Sequence, residues 1–195
     1  LIGLETPKSG TVHIQGADRL GADRVPPFGV LFQSGALFGS LTVGDNVALP
    51  LERWTAYDDV TIAAIVRAKL GLVGLAGFEN HLPSEISGGM KKRAGIARAL
   101  ALDPSLLFLD EPGAGLDPIS SVELDRLITT LNESLGVTAV IVTHELASIF
   151  AVAKHCIMLD RDAKTVIAQG DPRTLRDSST DARVHRFLNR QAEEN

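Results

Sequence analysis

The sequence predicts an α/β fold in which a mainly parallel sheet is flanked by helices and joined by a small helical subdomain. Two observations support this fold: apolar runs that end abruptly in polar residues, and amphipathic helical segments between them. The runs and the polar residues after them are 28–32 before Gln33, 106–109 before Asp110 and Glu111, and 137–142 before Thr143 and His144. Continuous apolar runs are typical of parallel strands that helices cover on both faces, and ligands bind beyond the carboxyl ends of such strands.

Composition and charge restrict the class of protein. The chain has 195 residues, of which 45% are hydrophobic and 22% charged, so it can bury the core of one globular domain. Its formal net charge is −5. A protein that binds nucleic acid without sequence preference needs clustered Lys and Arg, so we expect no nucleic-acid partner.

The order of the predicted elements divides this domain into a core, a subdomain and a tail. We assign 1–35 and 104–170 to the α/β core, 36–103 to the helical subdomain and 171–195 to a polar helical tail. The spacing of apolar residues predicts a helix over 61–70 in the subdomain. In the core, alternation at Val12 and Ile14 predicts a short strand, and two further strands are predicted at 156–159 and 165–168.

Lys8 and Ser9 invite comparison with the phosphate-binding loop G-x-x-x-x-G-K-[ST]. That loop requires glycine directly before the lysine and again five residues earlier, where this chain has Pro7 and Ile2. Proline has no N–H for a phosphate oxygen, and isoleucine does not adopt the backbone shapes that are open to glycine. The segment is therefore not a phosphate-binding loop.

The polar residues after the strands are candidates for a catalytic site. Asp110 could hold a metal ion, and Glu111 could draw a proton from water. We expect Gln33 and His144 at the same edge of the sheet, because the carboxyl ends of parallel strands meet there. Each residue alone has a structural alternative, since two carboxylates can be a solvated strand end and a lone histidine is usually structural.

Residues 87–89, Ser-Gly-Gly, precede a helix that the apolar spacing predicts up to Asp103, with Ser87 as its N-cap and Pro104 as its stop. Free N–H groups, the positive end of the helix dipole and the absence of side chains suit an anion. The alternative is a Gly-Gly hinge before an ordinary helix. The basic residues 91–93 are expected on a solvated face of that helix.

These segments occur in the order of the motifs of ABC-transporter ATPases. The resemblance to that family covers essentially the whole chain. The corresponding motifs are the Q-loop at Gln33, the signature at 87–89, Walker B at 106–111, the D-loop at 115–117 and the H-switch at His144. The strings 32–38, 87–90, 117–119 and 183–188 are similar to the ATPases of lipid-asymmetry, MCE-type phospholipid transporters. Met90 stands where the wider family has glutamine, so no contact of that side chain is carried over.

The resemblance implies a P-loop NTPase-like nucleotide-binding domain with ATP and Mg²⁺ as cofactors. Asp110 and Gln33 are then expected at the metal ion, with Asp110 holding it through water. Glu111 is expected to polarise the attacking water, and His144 to contact the γ-phosphate. Phosphoryl transfer depends mostly on positioning and charge stabilisation, which these groups can supply.

The resemblance also implies a head-to-tail homodimer. In it, Ser87, Gly88 and Gly89 bind the γ-phosphate that the other copy holds, and Asp117 crosses the interface. Further implied partners are an integral-membrane permease, contacted by residues near 36–60, and an MCE-type substrate-binding protein. The protein is accordingly expected at the cytoplasmic face of the inner or plasma membrane, where it powers phospholipid transport.

Several alternatives are compatible with the sequence. The family's Walker A loop is expected before Leu1, so the sequence is interpreted as an N-terminally truncated ATPase, with a degenerate, non-hydrolysing domain as the alternative. An importer or exporter ATPase for another substrate is also compatible with the motifs. A chromosome-maintenance or DNA-repair ATPase would need a long coiled coil between Gln33 and Ser87. A purely binding module leaves the pairing of Glu111 and His144 unexplained.

Overall fold

The computed structural model describes residues 2–14 and 25–191 of the chain. The strands among them are β1 (Gly29–Leu31), β2 (Leu106–Asp110), β3 (Thr138–Val142), β4 (Cys156–Asp160) and β5 (Thr165–Gly170). The α-helices are α1 (Val43–Trp54), α2 (Asp59–Leu72), α3 (Gly88–Ala99), α4 (Pro118–Leu135), α5 (Leu146–Val152), α6 (Pro172–Ser178) and α7 (Ala182–Leu188). None of these helices is long and apolar enough to cross a membrane.

Strands β1, β2 and β3 form a parallel sheet in that order, which confirms the predicted parallel sheet. The register pairs Val30 with Phe108, and Phe108 with Val140. Long helical segments connect the three strands, as parallel pairing requires. The three carboxyl ends therefore lie at one edge of the sheet.

The two faces of β2 differ in burial. Leu107 and Leu109 are buried in the main hydrophobic core, whereas Phe108 on the opposite face is half-buried. Helices α3 and α4 both cover the Leu107 face, so the predicted burial is confirmed for one face and not for the other. On the less buried face, Phe108 meets the ring of Phe28 edge-on, with 5.2 Å between the ring centroids.

Strands β4 and β5 pair antiparallel in a sheet of their own. The predicted strand at 165–168 extends to Gly170. A short turn connects the two strands, and it permits only antiparallel pairing because a parallel pair needs a long crossover. The N–H of Ala163 closes this turn by donating to the Asp160 carboxylate at 2.6 Å.

Helices α1 and α2 pack on α3 and form the helical part of the core. Thr42 and Asp45 start α1 with reciprocal hydrogen bonds, in which each side chain accepts from the other's backbone N–H. Asp58 caps α2, so this helix extends beyond the predicted 61–70 at both ends. Lys69 of α2 is buried and pairs with the carboxylate of Asp103.

Helix α3 packs tightly against β1. It begins after Ser87 as predicted, but it ends at Ala99 rather than at Asp103. The chain leaves the helix in tight turns, in which Asp103 adopts a left-handed φ of 51°. Glycine is required at the helix–strand contact, because a Cβ on Gly29 of β1 would overlap the backbone carbonyl of Ala99. A Cβ on Gly95 would lie 2.6 Å from a methyl carbon of Leu31, which would have to move.

The two ends of the described chain differ in how much regular secondary structure they contain. The predicted strand at Val12 and Ile14 is not formed within residues 2–14, where Ile14 makes only an isolated bridge. At the other end, Asp171 and Asp181 cap α6 and α7. Residues 192–195 of the predicted tail lie outside the described residues.

Candidate functional site

Three strand ends bring Gln33, Glu111 and His144 to one edge of the parallel sheet. Gln33 follows β1, Glu111 directly follows β2, and His144 follows β3. The N–H of Glu111 donates to the carbonyl of Val142 at 2.8 Å, so the pairing of β2 and β3 continues into the site. The sheet thereby assembles residues that are distant in sequence.

The Glu111 carboxylate is engaged at both oxygens. Oε1 lies 2.6 Å from Nδ1 of His144, and Oε2 accepts a hydrogen bond of 3.2 Å from the Thr143 hydroxyl. Glu111 has a left-handed φ of 43°, a strained conformation of the kind that clusters at active sites. Its side chain is 17% exposed and that of His144 77%, so the carboxylate is sheltered while the imidazole faces solvent.

Glu111 raises the pKa of His144. The hydrogen bond to the carboxylate is the main cause, and the negative charge of Glu111 acts in the same direction because both stabilise the imidazolium. The carboxylate of Glu145 adds a smaller upward effect on this pKa. An exposed imidazole with a raised pKa is suited to carrying a proton at this edge.

Asp110 and Gln33 are the candidate metal ligands, and both side chains are exposed at the sheet edge. A carboxylate and an amide oxygen are hard donors that suit Mg²⁺, which usually keeps several waters and takes few protein ligands. The described residues contain no cluster of three or more His, Cys, Asp or Glu that could hold a metal ion alone. The donor set fits a Mg²⁺ ion held largely through water and substrate oxygens.

Lys92 of α3 is a site residue that the sequence analysis missed. A solvated face is expected for 91–93, and this is wrong for Lys92, which is only 5% exposed. Its ammonium donates to the carbonyl oxygen of Gln33 and, at 3.1 Å, to that of Glu111. Burial lowers the pKa of Lys92, and the nearby charge of Asp110 opposes this shift.

A sequence signal for the burial of Lys92 exists. Lys92 shares one helical face with Gly95, Ile96 and Ala99, which follow it at the spacings of an amphipathic stripe and are all buried. A lysine at the head of such a stripe is expected to point inward. The adjacent Lys91 and Arg93 are half-buried, and Arg93 pairs with Glu123 of α4.

Ser87 caps α3 as predicted, since its hydroxyl accepts from the N–H of Met90 at 3.2 Å. Neither Gly88 nor Gly89 has a positive φ. A Cβ added to either would meet its nearest neighbours at 3.6 Å, an ordinary contact distance. Packing among residues 2–14 and 25–191 therefore requires glycine at neither position, and the missing side chains leave the first N–H groups of α3 open to an anion.

Asp117 caps α4. Its Oδ1 accepts from the N–H groups of Ile119 and Ser120, each at 3.0 Å, and its Oδ2 accepts from the Ser120 hydroxyl at 2.5 Å. The hydroxyl and the N–H of Ser120 lower the pKa of Asp117 because both bonds favour the charged carboxylate. Asp117 thus has a structural role in this chain, and its expected place at a dimer interface stays a prediction.

The site residues form two groups. The strand-edge group consists of Gln33, Asp110, Glu111 and His144, and the helix-start group consists of Ser87, Gly88, Gly89 and Asp117. Among the described residues, no hydrogen bond or ion pair joins the two groups directly. Lys92 links them instead, because it belongs to the helix that Ser87 begins and binds the backbone of the strand edge.

Comparison with known proteins agrees with the fold. Residues 1–114 match the family described as ABC transporter, which is more than half of the chain. The chain therefore belongs to the ABC transporter family, in which it corresponds to the ATP-binding component.

Two named relatives are similar to most of this chain. Probable ribonucleotide transport ATP-binding protein mkl of Mycobacterium tuberculosis is 44% identical over 195 residues, which cover 97% of this chain and 54% of the relative. Intermembrane phospholipid transport system ATP-binding protein MlaF of Escherichia coli is 44% identical over 159 residues, which cover 82% of this chain and 58% of the relative. The chain thus spans little more than half the length of these relatives.

A solved structure has the same fold. The ATP-binding cassette MJ0796, a dimer in a post-hydrolysis state bound to ADP and Pi, superimposes with a TM-score of 0.74 at 29% identity. The superposition covers 86% of this chain and 75% of that one. The predicted fold class, an ABC nucleotide-binding domain, is therefore confirmed.

Proposed function

We propose that the protein containing this chain is the ATP-hydrolysing subunit of an ABC transporter that moves phospholipid, or a related hydrophobic substrate, across or between membranes. The observation that carries this proposal is the contact between Glu111 and His144 at the carboxyl edge of a parallel sheet, in a chain of the ABC family. A carboxylate that accepts a proton from water and an imidazole that donates a hydrogen bond to phosphate are groups that can promote transfer of a phosphoryl group to water.

ATP and Mg²⁺ are the proposed cofactors. Asp110 and Gln33 would hold the metal ion, since both offer exposed oxygen atoms at the strand edge. When bound, Mg²⁺ neutralises negative charge on the phosphates and helps to orient them for in-line attack. The remaining steps belong to side chains of the protein.

Glu111 is the proposed general base. In the described conformation, its Oε1 faces His144 at 2.6 Å, so rotation of the imidazole away from this oxygen admits the attacking water. The exposure of His144 leaves room for that rotation, and the imidazole keeps an N–H donor in either protonation state. The freed imidazole can then donate a hydrogen bond to the γ-phosphate, whose charge grows during the reaction.

The helix-start group is proposed to act on a nucleotide held by a second copy of the protein. Gly88 and Gly89 leave the first N–H groups of α3 uncovered, and packing within the described residues does not require glycine at either position. The solved cassette MJ0796 is a dimer with ADP and Pi bound, which supports a homodimer here. In such a dimer Ser87 would contact the partner's γ-phosphate, and Asp117 would lie at the interface.

The substrate and the membrane partners are proposed from the relatives. MlaF is named for intermembrane phospholipid transport and mkl for ribonucleotide transport. Phospholipid is favoured because the strings 32–38 and 183–188 also resemble ATPases of lipid transporters. The proposal is completed by an MCE-type substrate-binding protein and by a permease at the cytoplasmic face of the membrane, contacted by residues 36–60, where Phe38 and Tyr57 are exposed.

Steady-state phosphate release from the complete protein tests the central proposal. The wild-type protein should hydrolyse ATP in the presence of Mg²⁺, and Glu111→Gln should not, because an amide cannot accept the proton of water. Glu133→Gln is a matched control, since Glu133 is exposed on α4, and it should behave as wild type. Equal activity of all three proteins would contradict the role of Glu111.

A reconstituted system distinguishes the proposed substrate from the other candidate. With the permease in vesicles, the complete protein should transfer a fluorescent phospholipid between membranes only when ATP is hydrolysed. ATP-dependent uptake of a labelled ribonucleotide, with no lipid transfer, would instead favour the activity for which the mkl relatives are named.

A further inference from the structure

The ammonium of Lys92 occupies an unusual position for a charged group. It is buried, and it donates hydrogen bonds to two backbone carbonyls that follow neighbouring strands, those of Gln33 and Glu111. These two residues are far apart in the sequence and belong to the two segments that carry the strand-edge group. A single side chain therefore joins the backbones of both segments.

The same helix contacts the segment after β1 at a second point. Arg98 donates to the carbonyls of Gly35 and Ala36 at 2.9 Å and 2.7 Å. Between the two cations lies Gly95, where a Cβ would come within 3.2 Å of the Gly35 carbonyl oxygen. Helix α3 thus lies directly against residues 33–36 along two of its turns.

A buried lysine needs compensation, because removal of its charge from water costs free energy. Two carbonyl acceptors and the carboxylates of Asp110, Glu111 and Glu145 provide it. The helix itself does not require this ammonium, since a methionine would fill the same volume. The charge of Lys92 is therefore explained by its hydrogen bonds to the carbonyls of Gln33 and Glu111 and not by the packing of α3.

We propose that Lys92 is a positioning residue that couples the helix-start group to the strand-edge group by holding the backbones of Gln33 and Glu111 together against α3. A shift of the helix that Ser87 begins then moves the segments of the metal ligand and of the general base as one unit. The hydrogen bonds stand on geometry alone, whereas the mechanistic meaning of the coupling rests on the proposed function.

Hydrogen–deuterium exchange in the complete protein measures this coupling without reference to activity. Two amides report on it: the N–H of Gly35, which donates to Phe32 at 2.7 Å, and the N–H of Glu111, which donates to Val142 at 2.8 Å. Lys92→Met should speed exchange at both together by about ten- to a hundredfold, the loss expected for hydrogen bonds to a charged group. Lys92→Arg, which keeps the donors, should restore most of the protection.

Two lysines serve as matched controls. Lys91→Met changes the adjacent, more exposed residue of α3, and Lys69→Met removes another buried lysine that pairs with Asp103 instead. Neither should change exchange at Gly35 or Glu111. Faster exchange at only one of the two amides, at neither, or uniformly along the chain would overturn the proposal. Should Lys92→Met fail to fold, Lys92→Gln provides the same comparison, because it removes the charge and keeps a polar side chain.

Kinetics then test the functional meaning of the coupling. Lys92→Met should lower kcat for ATP about tenfold and leave KM within about twofold, because the base is misplaced while nucleotide contacts remain. Unchanged kcat alongside faster exchange would overturn the positioning role. If the wild-type protein shows no hydrolysis that depends on Glu111, the proposed function fails, and the exchange measurements still decide whether Lys92 couples the two segments.

Discussion

The strand-edge group and the helix-start group differ in how far their contacts are satisfied within one chain. In the strand-edge group, Glu111 is bound at both carboxylate oxygens and its backbone is held by Lys92 and Val142. In the helix-start group, neither the backbone φ nor the packing of the described residues requires glycine at positions 88 and 89. The contacts of the first group are explained within one chain. In the second group, Ser87 and Asp117 cap helices, and only the two glycines lack an explanation in the packing of the described residues.

The largest expected effect concerns the first group. In the complete protein, Glu111→Gln should lower ATP hydrolysis by about 10²- to 10⁴-fold, the usual contribution of a general base. Because nucleotide binding is kept, ATP-bound dimers should accumulate, and size-exclusion chromatography with ATP and Mg²⁺ should show them. A monomer peak unchanged by ATP would mean that Glu111 does not control turnover of the closed dimer.

The second prediction contrasts two glycines of the same helix. Gly88→Asp should leave the fold intact, because a Cβ fits there and a carboxylate in the first turn suits the helix dipole. It should abolish ATP-dependent dimerisation, since the carboxylate would face the partner's phosphate. Gly95→Ala should keep ATP-dependent dimerisation but destabilise the fold by about 1–3 kcal/mol, because its methyl group meets Leu31. Thermal melts and chromatography measure both.

A mixing experiment sharpens this contrast. If the two groups act across a dimer, a heterodimer of Gly88→Asp and Glu111→Gln proteins has one composite site with both lesions and one with neither. Partial recovery of hydrolysis from two inactive proteins is therefore expected if the groups act across a dimer. No recovery, despite demonstrated heterodimers, would place both groups in the same site of one chain.

The third prediction compares two helix caps. Ser87→Ala and Thr42→Ala each remove a side-chain acceptor at a helix start, and each should cost about 1 kcal/mol of unfolding free energy. Only Ser87→Ala should also lower ATP hydrolysis, because Thr42 begins a helix with no proposed ligand. Equal activity of the two variants would return Ser87 to the role of a plain cap.

The smallest expected effect is a shift of one pKa. The pKa of His144 should lie above its ordinary value of about 6.5, and Glu111→Gln should bring it back toward that value. Because the folded-state pKa is raised, the favourable interaction is complete below the unfolded pKa and is lost as pH rises through the folded value. Titration of the imidazole resonances by NMR measures this shift, and an identical titration curve in both proteins would exclude the contact.

Local patterns sufficed for the strands that carry the site. The runs before Gln33, Asp110 and Thr143 are largely apolar and end in polar residues, so both their type and their edge were predictable. The cap at Ser87 was predictable for the same reason, since a cap depends on the residue itself and on its next few neighbours. The weak alternation around Val12 was insufficient, and no strand forms there within residues 2–14.

The sequence by itself therefore determined the parallel strands, the cap at Ser87 and the family, because these depend on short-range periodicity and on the order of motifs. Tertiary structure alone decided which carbonyls accept from Lys92, the bond between Glu111 and His144, and which face of β2 is covered. Each of these depends on which distant segments meet. The helical spacing of Lys92 indicates which way its side chain points. Its acceptors are the carbonyls of Gln33 and Glu111, which follow two different strands and are brought to it only by the fold.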